Sequence, residues 1–163
     1  LQAARLGMLD IERFKRQVQY SLLPNGTATD MVMQSKGRYI DNDKFNYMAP
    51  MGIWFENFAL PVVINECLMQ SYTGTIRLFP NWDKKQDAQF HNLRAVGAFL
   101  VSATFKNGSI TLVTINSEKG GKLKLISPWG KQGTIKHRNS SRGIDTEIIE
   151  IETTAGETVV FTP

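Results

Sequence analysis

The sequence predicts an α+β chain in which a helical segment is followed by an antiparallel β-sandwich, and three observations carry this. Apolar residues recur with helical spacing at Leu60, Val63, Ile64, Cys67 and Leu68. Beyond Trp82 the spacing changes to alternation, with Phe99, Val101, Ala103 and Phe105 on one face and Leu100, Ser102 and Thr104 on the other. Between the two regimes Gly74 is expected to end the helical register, giving a helical domain over 1–74 and a β-domain over 75–163.

Taken in order, Leu1 to Leu6 reads as the end of a helix, with Gly7 as its C-terminal stop. Asp10 is placed to cap a second helix from Ile11 to about Leu23, whose apolar stripe is Ile11, Phe14, Val18 and Leu22. Pro24-Asn25-Gly26 ends it, and Thr27 to Pro50 reads as a long loop. The next helix is expected to run from Leu60 to Ser71, buried on most sides, with Pro61 in its first turn and Asn57 as its side-chain cap. Thr75 to Phe79 is β-branched and aromatic enough for a strand, and Asp83 to Gln89 is a polar connector.

In the second half, Asn107-Gly108 is a strong hairpin signal between Ala98–Phe105 and Ile110–Asn116, because both residues tolerate positive φ. Lys122 to Ile126 and Thr134 to Arg138 are further strands. Asp145 to Thr153 and Glu157 to Thr162 read as a final hairpin around Ala155-Gly156.

Composition narrows the function classes. With 163 residues, 42% hydrophobic and 21% charged, the chain is a foldable globular sequence and contains no apolar run of bilayer length. The single cysteine, Cys67, excludes an internal disulfide and lies on the apolar face of its helix, where it reads as a small core residue. A net charge of +4 raises the possibility of nucleic-acid binding. However, Lys119, Lys122, Lys124, Lys131, Lys136, Arg138 and Arg142 are followed directly by Asp145, Glu147, Glu150, Glu152 and Glu157. Neighbouring antiparallel strands of opposite charge pair with each other, and no interleaved aromatics are present to stack bases. No nucleic-acid or membrane partner is therefore expected.

His91, read in the loop before a strand, and His137, within a strand, lack metal-ligand spacing. No nucleophile triad, phosphate loop or dinucleotide fingerprint is present, so neither metal nor cofactor is expected. Trp54, Tyr39, Tyr47 and Trp82 admit two readings, as sugar-stacking aromatics or as residues that pin the long loop onto the helices, and the second is favoured.

A family resemblance enters with three segments. Asn65 to Pro80, NECLMQSYTGTIRLFP, resembles the end of the catalytic barrel in glycoside hydrolase family 95, the inverting α-L-fucosidase and α-L-galactosidase family, where E-M-L-L-Q-S leads into I-R-L-L-P. Asn92 to Phe99, NLRAVGAF, is similar to that family's G-L-R-A-R-G-G-F. Ala4 to Gly7, with Glu12 and Arg13, resembles its penultimate helix hairpin. The resemblance implies the last helices of a six-hairpin α/α barrel followed by the C-terminal β-domain, as the tail of a longer, secreted or periplasmic polypeptide.

It also implies where catalysis would sit. The family's F-Q-I-D-G-N-F-G-G carries the Asp that activates water, and alignment through Asn57-Phe58 puts Phe55 at that position. A phenyl ring accepts no proton. Glu56, one residue on, is the carboxylate that a divergent member would use as base, and its structural reading is favourable charge at a helix start. Asn57, Trp54 and Tyr47 are the implied substrate contacts. The family's general acid lies upstream of this segment, so the chain is expected to lack a complete catalytic pair. The expected partners are the rest of the barrel, a glycan reached through it, and a second copy held through the helical part. The competing readings are a carbohydrate-binding module or a structural capping domain.

Overall fold

A computed structural model describes residues 1–21 and 54–163; for residues 20, 21 and 54–60 it describes the helical backbone only. The chain divides into two compact units, Leu1–Glu66 and Cys67–Pro163.

The first unit is helical. Helix α1 (Gln2–Arg5) stops where expected: Gly7 adopts φ 71°, the Met8 amide donates to Ala3 O at 2.9 Å and the Gly7 amide to Ala4 O at 3.1 Å. This is the double reverse bond that satisfies helix-end carbonyls when a left-handed residue follows. Helix α2 (Ile11–Ser21) is capped by Asp10, whose Oδ1 accepts the Arg13 amide at 2.9 Å. Its stripe of Ile11, Phe14 and Val18 is half-buried, and Leu22 lies outside the described residues.

Helix α3 (Trp54–Leu68) corrects several expectations. It is already helical at Trp54, six residues before Leu60, so Pro61 is an interior residue and Asn57 belongs to the helix rather than capping it. A proline at that depth removes one ladder hydrogen bond, a local cost that the bonds on either side tolerate. The helix also ends at Leu68, well before Gly74, because Met69 and Gln70 leave it to form strand β1 (Met69–Gln70). Nor is it buried nearly all round: Cys67 is 1% exposed, whereas Val62 and Ile64 are 43% and 44% exposed. An apolar side chain is buried only where a neighbouring element lies against it, and composition does not reveal which face that is.

The second unit consists of a six-stranded sheet faced by two strand pairs that together make a smaller second layer. Strands β3 (Ala88–Ala95), β4 (Phe99–Lys106), β5 (Ser109–Ser117), β7 (Thr134–His137), β8 (Ser140–Gly143) and β10 (Thr158–Thr162) form one sheet, in the order β3-β4-β5-β10-β7-β8. Opposite it, β6 (Gly121–Ile126) pairs with β9 (Ile148–Thr153), and β1 pairs with β2 (Arg77–Leu78). A parallel bridge from Ile76 to Leu125 joins these two pairs, and every strand ladder is antiparallel. Between the sheets lies one core, to which Val101, Val113, Ile115, Ile135, Val159 and Phe161 contribute from the larger sheet and Leu123, Leu125, Ile149 and Ile151 from the smaller.

The β4–β5 hairpin turns through Asn107 (φ 51°) and Gly108 (φ 80°), as the Asn-Gly signal predicts. Two bulges keep the flanking strands in phase with the core. His91 and Asn92 together oppose Ser102, with the Asn92 amide donating to Ser102 Oγ at 3.0 Å, so that Phe90 and Leu93 both face inward. Thr111 is the extra residue in β5, which turns both Ile110 and Val113 toward the core. His91 therefore belongs to a strand, not to the loop before one.

The expected final hairpin is absent. Strand β9 pairs with β6, while β10 pairs with β5 and β7, so Ala155-Gly156 turns the chain from one sheet to the other. The same turn residues serve a hairpin and an arch, and what separates them is which partner buries the alternating residues.

Candidate functional site

Trp54, Phe55, Glu56 and Asn57 all lie within α3. Successive residues of a helix are separated by about 100°, so Phe55 and Glu56 fall on different faces. Glu56 shares its face with Leu60 and Val63, four and seven residues on, rather than with the position the family resemblance assigns to the base. Tyr39 and Tyr47 lie outside the described residues, as do the side chains of Trp54, Glu56 and Asn57.

The tryptophans of the β-unit are tied down. Trp82 is half-buried, donates from Nε1 to Gln86 O at 2.8 Å and meets Phe79 edge-on, with centroids 6.3 Å apart. Trp129 is half-buried against the core and donates from Nε1 to Ile110 O at 2.8 Å. Phe99 and Phe105 are buried in that core. Phe99 and Phe105 therefore present no ring face to solvent, and Trp82 and Trp129 are only partly exposed. Trp82 contacts its own turn and the β-core, and the loop that it is expected to pin lies outside the described residues.

The charged strands pair as their sequence pattern predicts. On the outer face of β6 and β9, Lys124 reaches Glu150 at 3.0 Å, and Lys122 lies 3.4 Å from Glu150 and 3.7 Å from Glu152. The two lysines hold the Glu150 carboxyl below its ordinary range, Lys124 contributing most. Arg94 forms a two-pronged pair with Glu118, and Arg142 lies 3.9 Å from Asp145. Among the described residues no group of three His, Cys, Asp or Glu side chains could hold a metal ion, and no helix is long and apolar enough to cross a membrane.

Glu157, which the sequence shows only as one member of an acidic run, is the most heavily bonded of these carboxylates. It accepts the Arg138 Nε–H at 2.6 Å and the Thr154 amide at 2.7 Å, and His137 Nε2 lies 3.2 Å away. These contacts, Arg138 first and Thr154 second, lower its pKa from 4.5 to about 2 against the opposing effect of burial.

Two grooves are found among the described residues. In the helical unit, Phe14, Lys15, Val18, Gln19 and Ile64 line one between α2 and α3. In the β-unit, Arg77, Leu78, Pro80, Ile126, Ser127 and Pro128 line a half-open one. No residue pattern in the sequence announces the second groove, because its walls come from two segments about fifty residues apart that only the Ile76–Leu125 bridge brings together. No family model matches the chain, and no curated protein matches it.

Because the folded-state pKa of Glu157 is depressed, its contribution to stability is present above about pH 4.5 and is lost as the pH falls toward 2. Glu157→Gln should therefore unfold at a lower temperature than the parent at pH 7, with the gap closing across that window. Equal melting temperatures at pH 7, or a gap unchanged at pH 2, would show that the carboxylate does not clamp the turn.

Proposed function

We propose that this chain is the C-terminal part of an inverting glycoside hydrolase related to family 95, comprising the end of its α/α barrel and its β-domain. The observation that carries the reading is the run NECLMQSYTGTIRLFP, Asn65 to Pro80, supported by NLRAVGAF at Asn92 to Phe99. The chain order supports it too, since a helical unit comes first and antiparallel sheets follow. In this reading the substrate is an α-L-fucoside or α-L-galactoside, and the parent polypeptide is secreted or periplasmic.

Inversion requires a base that takes a proton from water as its oxygen attacks the anomeric carbon, and an acid on the opposite side that protonates the departing oxygen. Glu56 is the carboxylate assigned to the first role. Asn57, Trp54 and Tyr47 are the assigned sugar contacts. The acid belongs to the upstream barrel, so the segment alone does not hydrolyse glycosides.

For the β-unit itself, a structural capping role is favoured over a sugar-binding module. Phe99 and Phe105 are buried, and Trp82 and Trp129 are half-buried and packed against the core, so the unit offers no row of exposed aromatic rings.

The catalytic assignment is tested in the intact parent polypeptide with an aryl α-L-fucoside and an aryl α-L-galactoside, following the product anomer by NMR. The expected result is a first-formed β-anomer, with Glu56→Gln lowering kcat by about two orders of magnitude or more while KM changes little. Retained turnover in Glu56→Gln would remove Glu56 as base, and an intact, folded parent inactive on both substrates would remove the fucosidase-type reading.

The helical part is also proposed to associate with a second copy when the segment is isolated, because Val62 and Ile64 expose apolar surface beside the α2–α3 groove. Sedimentation at micromolar concentration should show a dimer or larger species that Val62→Lys with Ile64→Lys returns to monomer. A monomeric parent segment would contradict this.

A further inference from the structure

The geometry points to the groove between Arg77 and Ser127 as a binding site for a free monocarboxylate with a short branched apolar body, a property independent of the glycosidase reading. Four of its six lining residues, Leu78, Pro80, Ile126 and Pro128, are apolar. The two prolines offer no amide hydrogen. The other two residues are both donors. Arg77 is half-buried, and among the described residues its guanidinium forms no ion pair and no side-chain hydrogen bond. Every other arginine of the β-unit (Arg94, Arg138, Arg142) has a carboxylate partner.

Ser127 supplies the independent observation. It is 7% exposed, and its Oγ accepts the Trp129 amide at 3.3 Å, which leaves the hydroxyl proton uncommitted among the described contacts. A nearly buried hydroxyl with an unused proton and a cation without a counter-charge thus line the same small groove, and no carboxylate or carboxamide side chain lines it. A neutral ligand would leave the cation uncompensated, and a hydrated inorganic anion would gain nothing from the apolar walls. A carboxylate takes both donors, with Arg77 the stronger because its hydrogen bond is charge-assisted. The walls, which include Ile126 at 37% exposure, accommodate the branched body.

The ladder on either side gives this arrangement rigidity. The Ile76 amide donates to Lys124 O at 2.8 Å, and the Ile126 amide to Ile76 O at 2.9 Å, so the Arg77 and Ile126 backbones are locked side by side. The Ser127 amide donates to Glu147 O at 2.8 Å, which holds the opposite wall. The backbones that carry both donors are therefore fixed before any ligand arrives.

The test is an amide-resolved NMR titration of the whole chain with isovalerate, isovaleramide and sulfate. Isovalerate should produce saturating shifts confined to residues around 76–80 and 125–129, and isovaleramide should bind about tenfold or more weakly. Arg77→Gln should weaken isovalerate by a similar factor, and Ser127→Ala by less. Equal binding of isovalerate and isovaleramide by the unaltered chain would overturn the proposal without recourse to any variant. So would sulfate shifting the same amides as strongly, since the groove would then be reading charge alone.

Discussion

The β-unit depends on the crossing from β9 to β10, because that step lets one chain line both sides of a single core. Ile149 and Ile151 enter the core from one sheet, and Val159 and Phe161 enter it from the other. Between them the turn is clasped to the end of β5: the Gly156 amide donates to Ser117 O at 2.7 Å and the Ser117 amide to Glu157 O at 2.8 Å. Beneath it, the buried Thr153 hydroxyl lies 2.8 Å from Ser117 Oγ and 2.7 Å from Gly121 O, and Ser117 Oγ accepts the Gly120 amide at 3.1 Å. These contacts satisfy both hydroxyls, which would otherwise be costly so near the core. The Glu157 carboxylate fastens the outer side of the same turn to the end of β7 through Arg138.

How much of this was legible in the sequence follows from which interactions are local. The β4–β5 hairpin was legible because Asn-Gly is a local conformational signal and Phe99, Val101, Ala103 and Phe105 alternate without interruption. The pairing of β9 was not legible, because Ala155-Gly156 specifies a reversal and says nothing of the partner. The strand β8 escaped for a related reason: Ser140, Ser141, Arg142 and Gly143 are all exposed, so no alternation marks it. His91 was misread because a bulge places it and Asn92 together on the outward side, which breaks the period-two pattern. The charge pattern fared better, since opposite signs on Lys122, Lys124, Glu150 and Glu152 require only that the two segments be neighbours, and they are.

The candidate sites divide along the same line. Glu56 and Asn57 were nominated by a family motif, and what the backbone adds is that both belong to a helix already begun at Trp54. Pro61 stands inside the helix, where a proline is a weaker starting signal than at the first turn, so Asn57 is part of the helix and not its cap. Arg77 and Ser127 were not nominated at all. Each is unremarkable in its own segment, and their common chemistry arises only when a single parallel bridge brings β2 alongside β6.

The claim that two sheets share a core through the β9–β10 crossing is tested most directly by interstrand nuclear Overhauser effects between backbone protons. The structure predicts antiparallel contacts between Leu123 and Ile151 and between Ile115 and Val159, with none between the backbones of β9 and β10. Direct backbone contacts between β9 and β10 across Ala155-Gly156, in hairpin register, would contradict it.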